Sequence, residues 1–350
     1  MPSMQKLLAG PRKPSYTFTL LDGQDRPLRD LDTVKSWSIE LNANTRLGAS
    51  GELELLHDHG VDFQKHRVRI SYNPGVEGAD GWDLGVFLFA EPSLDHESTH
   101  STISVKLISK LAVVDEDSTV QSYSVAKGQN LVQEAAKLLR SIGETRMSVQ
   151  DSDLTARESI QFSAGESILT VVNELLDAAG YWGLSTDGGG SYRLEPYVLP
   201  SARPVVWDFQ AGELAVHAPE WSRDQDISSV PNRVICRTSG EDETPALVGV
   251  AENTNPESPF SYQARGRWVT RVYDVEAAGQ AEINQLAQRR LIQAGYPVGT
   301  INIKHAPVPV FPREAVRFTS GGVSTVATVA KMRVSSPGHW VSTELKEVHE

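Results

Sequence analysis

Apolar and polar residues alternate along most of the first 111 residues of this chain. Side chains at every second position share one face of a strand, so this pattern is typical of strands with one buried face. Turn-forming residues interrupt the alternation, as at Asn73-Pro74-Gly75. The pattern predicts an antiparallel β unit over residues 1–111, with about six strands. Its alternating apolar residues include Tyr16, Phe18, Leu20, Trp37, Ile39, Leu41, Leu53, Leu55, Val68 and Ile70.

The spacing of apolar residues changes to that of helices after residue 112. Residues 131–142 place apolar side chains on one helical face and stop before Gly143. A second segment of this kind runs over residues 167–179 and ends at Gly180. Because glycine commonly follows the last turn of a helix, the sequence predicts two helices here.

Two short strands should complete this α+β region. They are predicted at residues 181–184 and 192–194, joined through a hairpin loop at residues 186–191. Residues 196–204 contain three prolines, which fix φ and remove hydrogen-bond donors, so they predict a stiff linker. The sequence therefore indicates an α+β insert domain over residues 112–204.

Strand patterns return after the linker and predict a second β unit. It is discontinuous, covering residues 205–238 and 300–350, and a second insert at residues 239–299 separates its halves. The insert contains one strong helix predicted over residues 276–294, with Asp274 available as the N-cap. The fold class predicted is β-rich α+β, with two β units and two insert domains.

Composition excludes several classes of protein. The 350 residues carry a net charge of −12, which argues against a tight grip on phosphates. One cysteine, Cys236, allows neither an intrachain disulfide nor a four-thiolate zinc site. Residues 1–13 lack the apolar core of a signal peptide, and no apolar run is long enough to span a membrane. We expect a soluble protein made in a cytoplasm, without a membrane anchor.

A short histidine-rich segment is a candidate metal site. His57-Asp58-His59 would place two imidazoles on one face of an extended strand, with His66, His96 and His100 as further ligands for copper or zinc. The segment ends at Gly60 between two predicted strands, which is typical of a polar turn. We predict a turn here and no metal ligand.

Other segments carry residue types used in catalysis or ligand binding. Asp115-Glu116-Asp117 and Glu241-Asp242-Glu243 lack the spaced ligands and central glycine of a calcium loop. Gly188-Gly189-Gly190 does not open a helix, as a phosphate loop would. Gly165-Glu166-Ser167 lacks the second glycine of a nucleophile elbow, and Cys236 lies in an apolar predicted strand. Spacing neither selects nor excludes a glycosidase pair among the 45 acidic residues. We predict no catalytic, cofactor-binding or metal-binding residue.

The densest basic spots are Arg265-Gly266-Arg267-Trp268 and Gln288-Arg289-Arg290. An arginine beside an aromatic residue occurs in proteins that bind single-stranded nucleic acid. Two spots do not form a continuous basic stripe, and the chain as a whole is acidic. We therefore predict arginines at protein interfaces or at the edge of the core.

The segment Tyr123 to Leu131 is similar to the opening of a LysM module, which binds peptidoglycan. Gln129 and Asn130 stand where such modules usually carry Asp and Thr, and the module's second helix and closing strand are not recognisable in order. Cell-wall binding by this insert, or cell-wall degradation by a tail component, stays open as an alternative function.

Several short motifs, spread in order over about residues 120–350, carry a different resemblance. Together they resemble the baseplate hub proteins, often called minor tail proteins, of long-tailed phages that infect actinobacteria, which are related to contractile-tail hubs and to the base of type VI secretion spikes. The motifs are Leu175-Leu176-Asp177-Ala178-Ala179-Gly180-Tyr181, Trp207-Asp208-Phe209, Pro231-Asn232-Arg233-Val234-Ile235-Cys236, Ala251-Glu252-Asn253, Pro256-Glu257-Ser258-Pro259-Phe260-Ser261, Gly266-Arg267 and Ser336-Pro337-Gly338-His339-Trp340.

This resemblance implies a fold and a structural function. Each β unit would be a β-barrel tube domain, and three subunits would set six barrels around one channel as a pseudo-sixfold homotrimer. The ring would adapt a hexameric tail tube to a trimeric spike or fibre at the virion tail tip. Its partners would be the distal tail protein ring, the tape measure protein and the tip proteins. Genomic DNA would pass through without specific binding, and the subunit would not be an enzyme.

Overall fold

The computed structural model describes residues 4–56, 60–96, 101–238, 246–275, 279–295 and 299–348. The chain forms two compact units. The first comprises Met1–Trp221 and Asn302–Leu345, and the second comprises Ser222–Ile301 and Lys346–Glu350.

Strands outnumber helices in the described residues. The helices are α1 (Met4–Ala9), α2 (Ala112–Glu116), α3 (Leu131–Ser141), α4 (Ile168–Ala178), α5 (Tyr262–Arg265) and α6 (Gln280–Ala294), and a 3-10 turn covers Pro200–Ala202. The strands are β1 (Ser15–Leu21), β2 (Pro27–Asp30), β3 (Val34–Asn42), β4 (Ala49–Leu56), β5 (Arg67–Asn73), β6 (Trp82–His96), β7 (Ser101–Ser109), β8 (Tyr123–Val125), β9 (Met147–Val149), β10 (Ile160–Phe162), β11 (Ser185–Thr186), β12 (Tyr192–Leu194), β13 (Val205–Gln210), β14 (His217–Gln225), β15 (Arg233–Arg237), β16 (Val248–Glu252), β17 (Thr270–Asp274), β18 (Gly299–His305), β19 (Ala315–Ser320), β20 (Val323–Ser335) and β21 (Val341–Glu347).

A large, mostly antiparallel sheet dominates the fold, as the alternation predicted. Its strand order is β14-β18-β21-β20-β3-β4-β7-β6-β5-β1-β2, and β19 joins β20 to β13. The pairing of β20 with β3 brings Val334 opposite Ile39, so strands from both predicted β units belong to one sheet. The described strands follow an open path, and the closure of each β unit into its own barrel stays a prediction.

The two helices predicted from residues 131–142 and 167–179 are confirmed. The side chain of Asn130 accepts from the backbone N–H of Gln133 at the start of α3, and Ser167 does the same for Thr170 at the start of α4. The helices pack on each other over one apolar core. That core includes Leu131, Ala135, Leu138, Leu139, Ile168, Val171, Val172, Leu175 and Leu176.

A hairpin forms after α4 as predicted, but its first strand lies at residues 185–186 and not at residues 181–184. Ser185–Thr186 pairs with Tyr192–Leu194, while Tyr181 makes only an isolated bridge to Pro196. The sheet gains a third strand that the sequence reading did not predict, because Met147–Val149 lies parallel to β12. Three-residue strands such as β9 are too short to show a periodic pattern.

The second unit contains a small sheet, in the order β16-β15-β17, with α6 packed against it. Cys236 is buried in β15 within the apolar core that α6 covers. The prediction that Asp274 caps this helix is wrong: Asp274 ends β17, its carboxylate accepts from Arg237 at 2.6 Å, and α6 begins after Gly279. The predicted helix start at residues 276–278 lies outside the described residues.

His305, at the end of β18, is fully buried in the first unit. Its Nδ1 lies 2.8 Å from the carbonyl of Ala306, which can only accept, so Nδ1 carries the proton and Nε2 accepts from the Thr343 hydroxyl at 2.7 Å. Burial, with smaller contributions from the charges of Arg12 and His217, outweighs the Ala306 hydrogen bond and lowers the pKa of His305 to about 4. The imidazole is therefore neutral in the folded chain.

We predict that folding stability falls as the pH drops from about 6.5 to about 4, because over that range the unfolded chain protonates His305 and the folded chain does not. The contribution is about 3 kcal/mol for this shift of the pKa. Urea unfolding at a series of pH values should show a shallower pH dependence for His305→Gln than for the wild type. The exposed His96 gives the control variant His96→Gln, and equal slopes for all three proteins would contradict the prediction.

Candidate functional site

One face of the main sheet is polar over four neighbouring strands. The register places Ser335, Ser38, Glu52 and Lys106 in one row across β20, β3, β4 and β7. The intervening positions point to the other side and are buried, as Leu53 is. We call this surface the polar face. Its residues are Ser36, Ser38, Glu40, Ser50, Glu52, Glu54, Thr102, Ser104, Lys106, Lys331, Arg333 and Ser335.

Two lysines of the polar face are held by carboxylates. Lys331 Nζ lies 2.9 Å from Glu40 Oε2, and Lys106 donates to Glu91 on β6. Burial alone would raise the pKa of Glu40, but hydrogen bonds from Lys331 and Asn42 outweigh it and lower the pKa. Glu91 reaches its position with a φ of +49°, at the irregularity in the pairing of β6 with β7. These two cations are thus already neutralised within the face.

Four buried charges form a closed ring. Asp25 Oδ1 accepts from Arg67 at 2.7 Å, and its Oδ2 accepts from Lys110 at 2.5 Å. Glu144 completes the ring, with Oε1 2.9 Å from Arg67 and Oε2 2.9 Å from Lys110. The side chain of Lys110 is 0% exposed. Each carboxylate therefore bridges both cations, and the four formal charges cancel.

This charge ring joins the main sheet to the α+β insert. Asp25 lies in the turn between β1 and β2, whereas Glu144 follows α3. Lys110 also donates to the Gly190 carbonyl at 2.9 Å and lies 4.5 Å from the ring centroid of Tyr192. Burial, followed by the charge of Glu144, raises the pKa of Tyr192. Breaking one member leaves an uncompensated buried charge, so the ring fixes where the insert sits.

The predicted histidine cluster is only partly described. His57-Asp58-His59 and His100 lie outside the described residues. His66 Nδ1 accepts from the backbone N–H of Asp62, and His96 Nδ1 lies 2.7 Å from the Ser101 hydroxyl. Over the described ranges, the structure brings together no group of three His, Cys, Asp or Glu side chains that suits a metal ion.

The other segments considered as sites have structural partners where they are described. Asp115 binds Arg46 at 2.5 Å, and this contact lowers the pKa of its carboxyl group. Ser167 caps α4, and the glycines at 188–190 form the hairpin loop between β11 and β12. Glu241-Asp242-Glu243 lies outside the described residues.

The basic spots lie at the edges of the second unit's core. Arg265 donates to the Val230 carbonyl at 2.6 Å, and Trp268 stacks between Arg233 and Tyr262. Arg290 lies over the ring of Tyr273. These contacts hold loops and a helix in place, as predicted for core-edge arginines.

The LysM-like segment folds as strand β8, a glycine turn at Gly128 and helix α3. Its strand pairs with β10, but α3 and β9 lie between them and α4 follows. A second helix therefore does not precede the closing strand. The resemblance is limited to one strand, one turn and one helix.

The fold is that of phage tail proteins. No protein-family model matches the chain, and no curated protein matches its sequence. Solved structures do match over nearly the whole chain. A tail protein from Neisseria meningitidis MC58 is 13% identical, with a TM-score of 0.65, 95% of this chain covered and 97% of that one.

Two further structures extend the comparison. The 43 kDa tail protein of prophage MuSo2 from Shewanella oneidensis is 12% identical, with a TM-score of 0.63, and 95% of this chain and 98% of that one are covered. A chain of the Francisella PdpA-VgrG complex is 7% identical, with a TM-score of 0.62. The match covers 96% of this chain and 53% of that one. At these identities the matches establish the fold.

Sequence reasoning missed the charge ring. Its members are separated by up to 119 positions, from Asp25 to Glu144, and no local motif relates them. One signal was present, because Lys110 is the single charge in the apolar stretch Leu107 to Val114. A buried lysine requires carboxylate partners, so this position predicts a buried ion pair.

We predict that Lys110→Met lowers the free energy of unfolding by about 3–5 kcal/mol, because Asp25 and Glu144 lose one of the two cations that bridge them. Urea unfolding followed by far-ultraviolet circular dichroism measures the change. Lys137→Met is the matched control: it removes an exposed pair with Glu134 and should cost less than about 1 kcal/mol. Equal losses in both variants would show that the ring does not hold the insert.

Proposed function

We propose that this chain is a structural subunit of a phage-type tail, a baseplate hub at the virion tail tip, and not an enzyme. The observation that supports it most is the match of the whole fold to two tail proteins, at TM-scores of 0.65 and 0.63. Both matches cover at least 95% of either chain, so they include the main sheet and the inserts together. The resemblance of the ordered motifs over residues 120–350 is the support for a hub of the kind found in actinobacterial phages.

The proposed assembly is a homotrimer with pseudo-sixfold symmetry. Each subunit would supply two β-barrel tube domains, from residues 1–111 and from residues 205–238 with 300–350. The inserts at residues 112–204 and 239–299 would project from this ring. A sheet that contains strands from both predicted β units supports the arrangement, because it joins those two β units within one subunit. Three such subunits would match six positions of a tail tube on one side and a trimeric tip on the other.

We propose the polar face as the wall of the channel. Its serines are short and neutral, and Lys331 and Lys106 are each tied to a carboxylate. Such a surface is wetted but offers phosphate few free cations. Three chains at −12 each sum to −36, and where part of that charge lines the channel, DNA would be repelled and pass without being retained.

The proposed partners follow from the position at the tip. The ring would dock on the distal tail protein ring, hold the end of the tape measure protein until release, and carry spike or fibre proteins. Labelled antibody on virions tests the location: signal at the tail tip supports it, whereas signal confined to the shaft or head would refute it.

We predict that native mass spectrometry of the full chain detects trimers, and that Leu28→Asp weakens them. Leu28 is 51% exposed on β2, the last strand of the sheet order, where an unpaired edge is available to a neighbouring subunit. Leu154 is equally exposed, at 52%, in a loop of the insert, so Leu154→Asp serves as the matched control. A purely monomeric wild type over a broad concentration range, or equal weakening by both variants, would contradict this arrangement.

We predict that Glu52→Lys combined with Glu54→Lys creates DNA binding that the wild type lacks. The double change replaces two negative charges by two positive ones and so raises the net charge by four units per chain, and binding should weaken steeply with salt. Fluorescence anisotropy with labelled duplex DNA measures it, with an expected gain of at least about tenfold at low salt. Glu158→Lys with Glu174→Lys is the control for charge alone. Similar gains in both double variants would remove the support for a channel wall at the polar face.

A further inference from the structure

A cleft of about 660 Å³ lies within the first unit, between the main sheet and the α+β insert. The β3–β4 turn and the loop at residues 311–315 line it from the sheet side. The hairpin after α4 and the segment at residues 196–206 line it from the insert side. It shares no residue with the polar face.

Two arginines without carboxylate partners line this cleft. The Trp182 ring lies 4.7 Å from the guanidinium of Arg203 and 5.1 Å from that of Arg313. Both donate to carbonyls, Arg203 to Arg313 and Arg313 to Gly183. In the part of the chain that the structure describes, neither has an ion pair, since the nearby Glu195 pairs with Arg193. The cleft therefore holds two half-buried guanidinium groups that form no ion pair with any described carboxylate.

The positive charges of these two arginines make the cleft suitable for binding an anion. Burial lowers the pKa of both guanidinium groups. The charge of Arg203 lowers the pKa of Arg313 further, and Glu195 opposes this without reversing it, as Tyr197 does for Arg203. Arg313 also has a φ of +76°, a conformation that is strained for any residue except glycine. Glu314 lines the cleft too, but burial raises its pKa and its Oε2 accepts from the backbone N–H of Phe311. An incoming carboxylate would relieve the mutual repulsion of the arginines.

Exposed apolar side chains also line the cleft. Val198 and Val206 line it while 40% and 44% exposed, and the adjacent Tyr197 and Leu199 are 46% and 62% exposed. Clusters of exposed apolar residues mark surfaces that bind a partner. A small hydrophilic acid would leave these side chains uncovered, so the occupant has to be larger and partly aliphatic.

Two strand edges also line the cleft. Ser185 and Thr186 form β11, which pairs only with β12 among the described strands, and β13, which carries Val206, pairs only with β19. An open strand edge presents backbone donors and acceptors to an extended peptide. Cations, aliphatic walls and open edges together suit one kind of ligand.

We propose that this cleft binds an extended peptide segment of a partner protein, in which an Asp or Glu side chain stands beside aliphatic residues. The carboxylate would take donors from Arg203 and Arg313, and its neighbours would cover Val198 and Val206. The site lies within a single chain, so it goes beyond the hub assembly and does not depend on it.

Selection of a phage-displayed random peptide library on the immobilised full-length protein tests the proposal. We expect enriched peptides that contain Asp or Glu next to aliphatic residues. Their affinities are then measured by fluorescence anisotropy. Arg313→Gln should weaken binding about ten- to a hundredfold, since a charge-assisted hydrogen bond is lost. The exposed Arg157, which does not line the cleft, provides the control Arg157→Gln, and its affinity should not change.

A second pair of variants separates binding from folding. Val206 is partly exposed, so Val206→Glu and Val206→Lys should both melt at the wild-type temperature. The Glu variant should weaken peptide binding at least about tenfold, because its charge repels the carboxylate of the peptide. The Lys variant should not weaken binding. Enrichment of peptides without acidic residues, failure to enrich any peptide, or unchanged affinity in Arg313→Gln would overturn the proposal. Equal competition by N-acetylglutamate would show a small-acid site instead. A change of oligomeric state in Val206→Glu alone would assign the cleft to a second copy of this chain.

Discussion

The ring of Asp25, Arg67, Lys110 and Glu144 is the interaction on which the first unit depends. A buried charge without a partner costs several kcal/mol, so no member is tolerable unless the other three are in place. Four segments must therefore reach their positions together: the β1–β2 turn, the start of β5, the end of β7 and the loop after α3. An apolar junction would accept many relative placements of sheet and insert, whereas paired hydrogen bonds at 2.5 to 2.9 Å accept one.

The elements that the sequence predicted well are those determined by local periodicity. The alternation before residue 112 became strands, and the helical spacing around Leu138 and Leu175 became α3 and α4, because burial of one face is encoded within each segment. The pairing of β20 with β3 could not be predicted, since it joins residues about 300 positions apart and depends on the whole sheet. The wrong cap at Asp274 has a similar cause, because pairing with β15 extended the strand through that residue.

The charge ring and the cleft escaped sequence reasoning for the same reason. Trp182, Arg203 and Arg313 come from a hairpin, a linker and a loop that are distant in sequence, and each alone resembles an ordinary surface residue. The comparisons show how little identity the fold requires. At 13% identity, a TM-score of 0.65 over nearly the whole chain means that the backbone fold is shared while most side chains differ. Individual motifs therefore carried less information than their order along the chain.

The cleft is a geometric consequence of the ring. Lys110 binds the Gly190 carbonyl in the same hairpin loop whose strand β11 lines the cleft, and Arg313 reaches from the sheet side to the Gly183 carbonyl on the insert. The two contacts hold the chain on either side of β11, so directional hydrogen bonds set the distance between the sheet wall and the insert wall of the cleft. These polar contacts make the junction between sheet and insert rigid. The same rigidity keeps Arg203 and Arg313 close to each other despite their like charge. Two donors for an anion are therefore already in place before it binds.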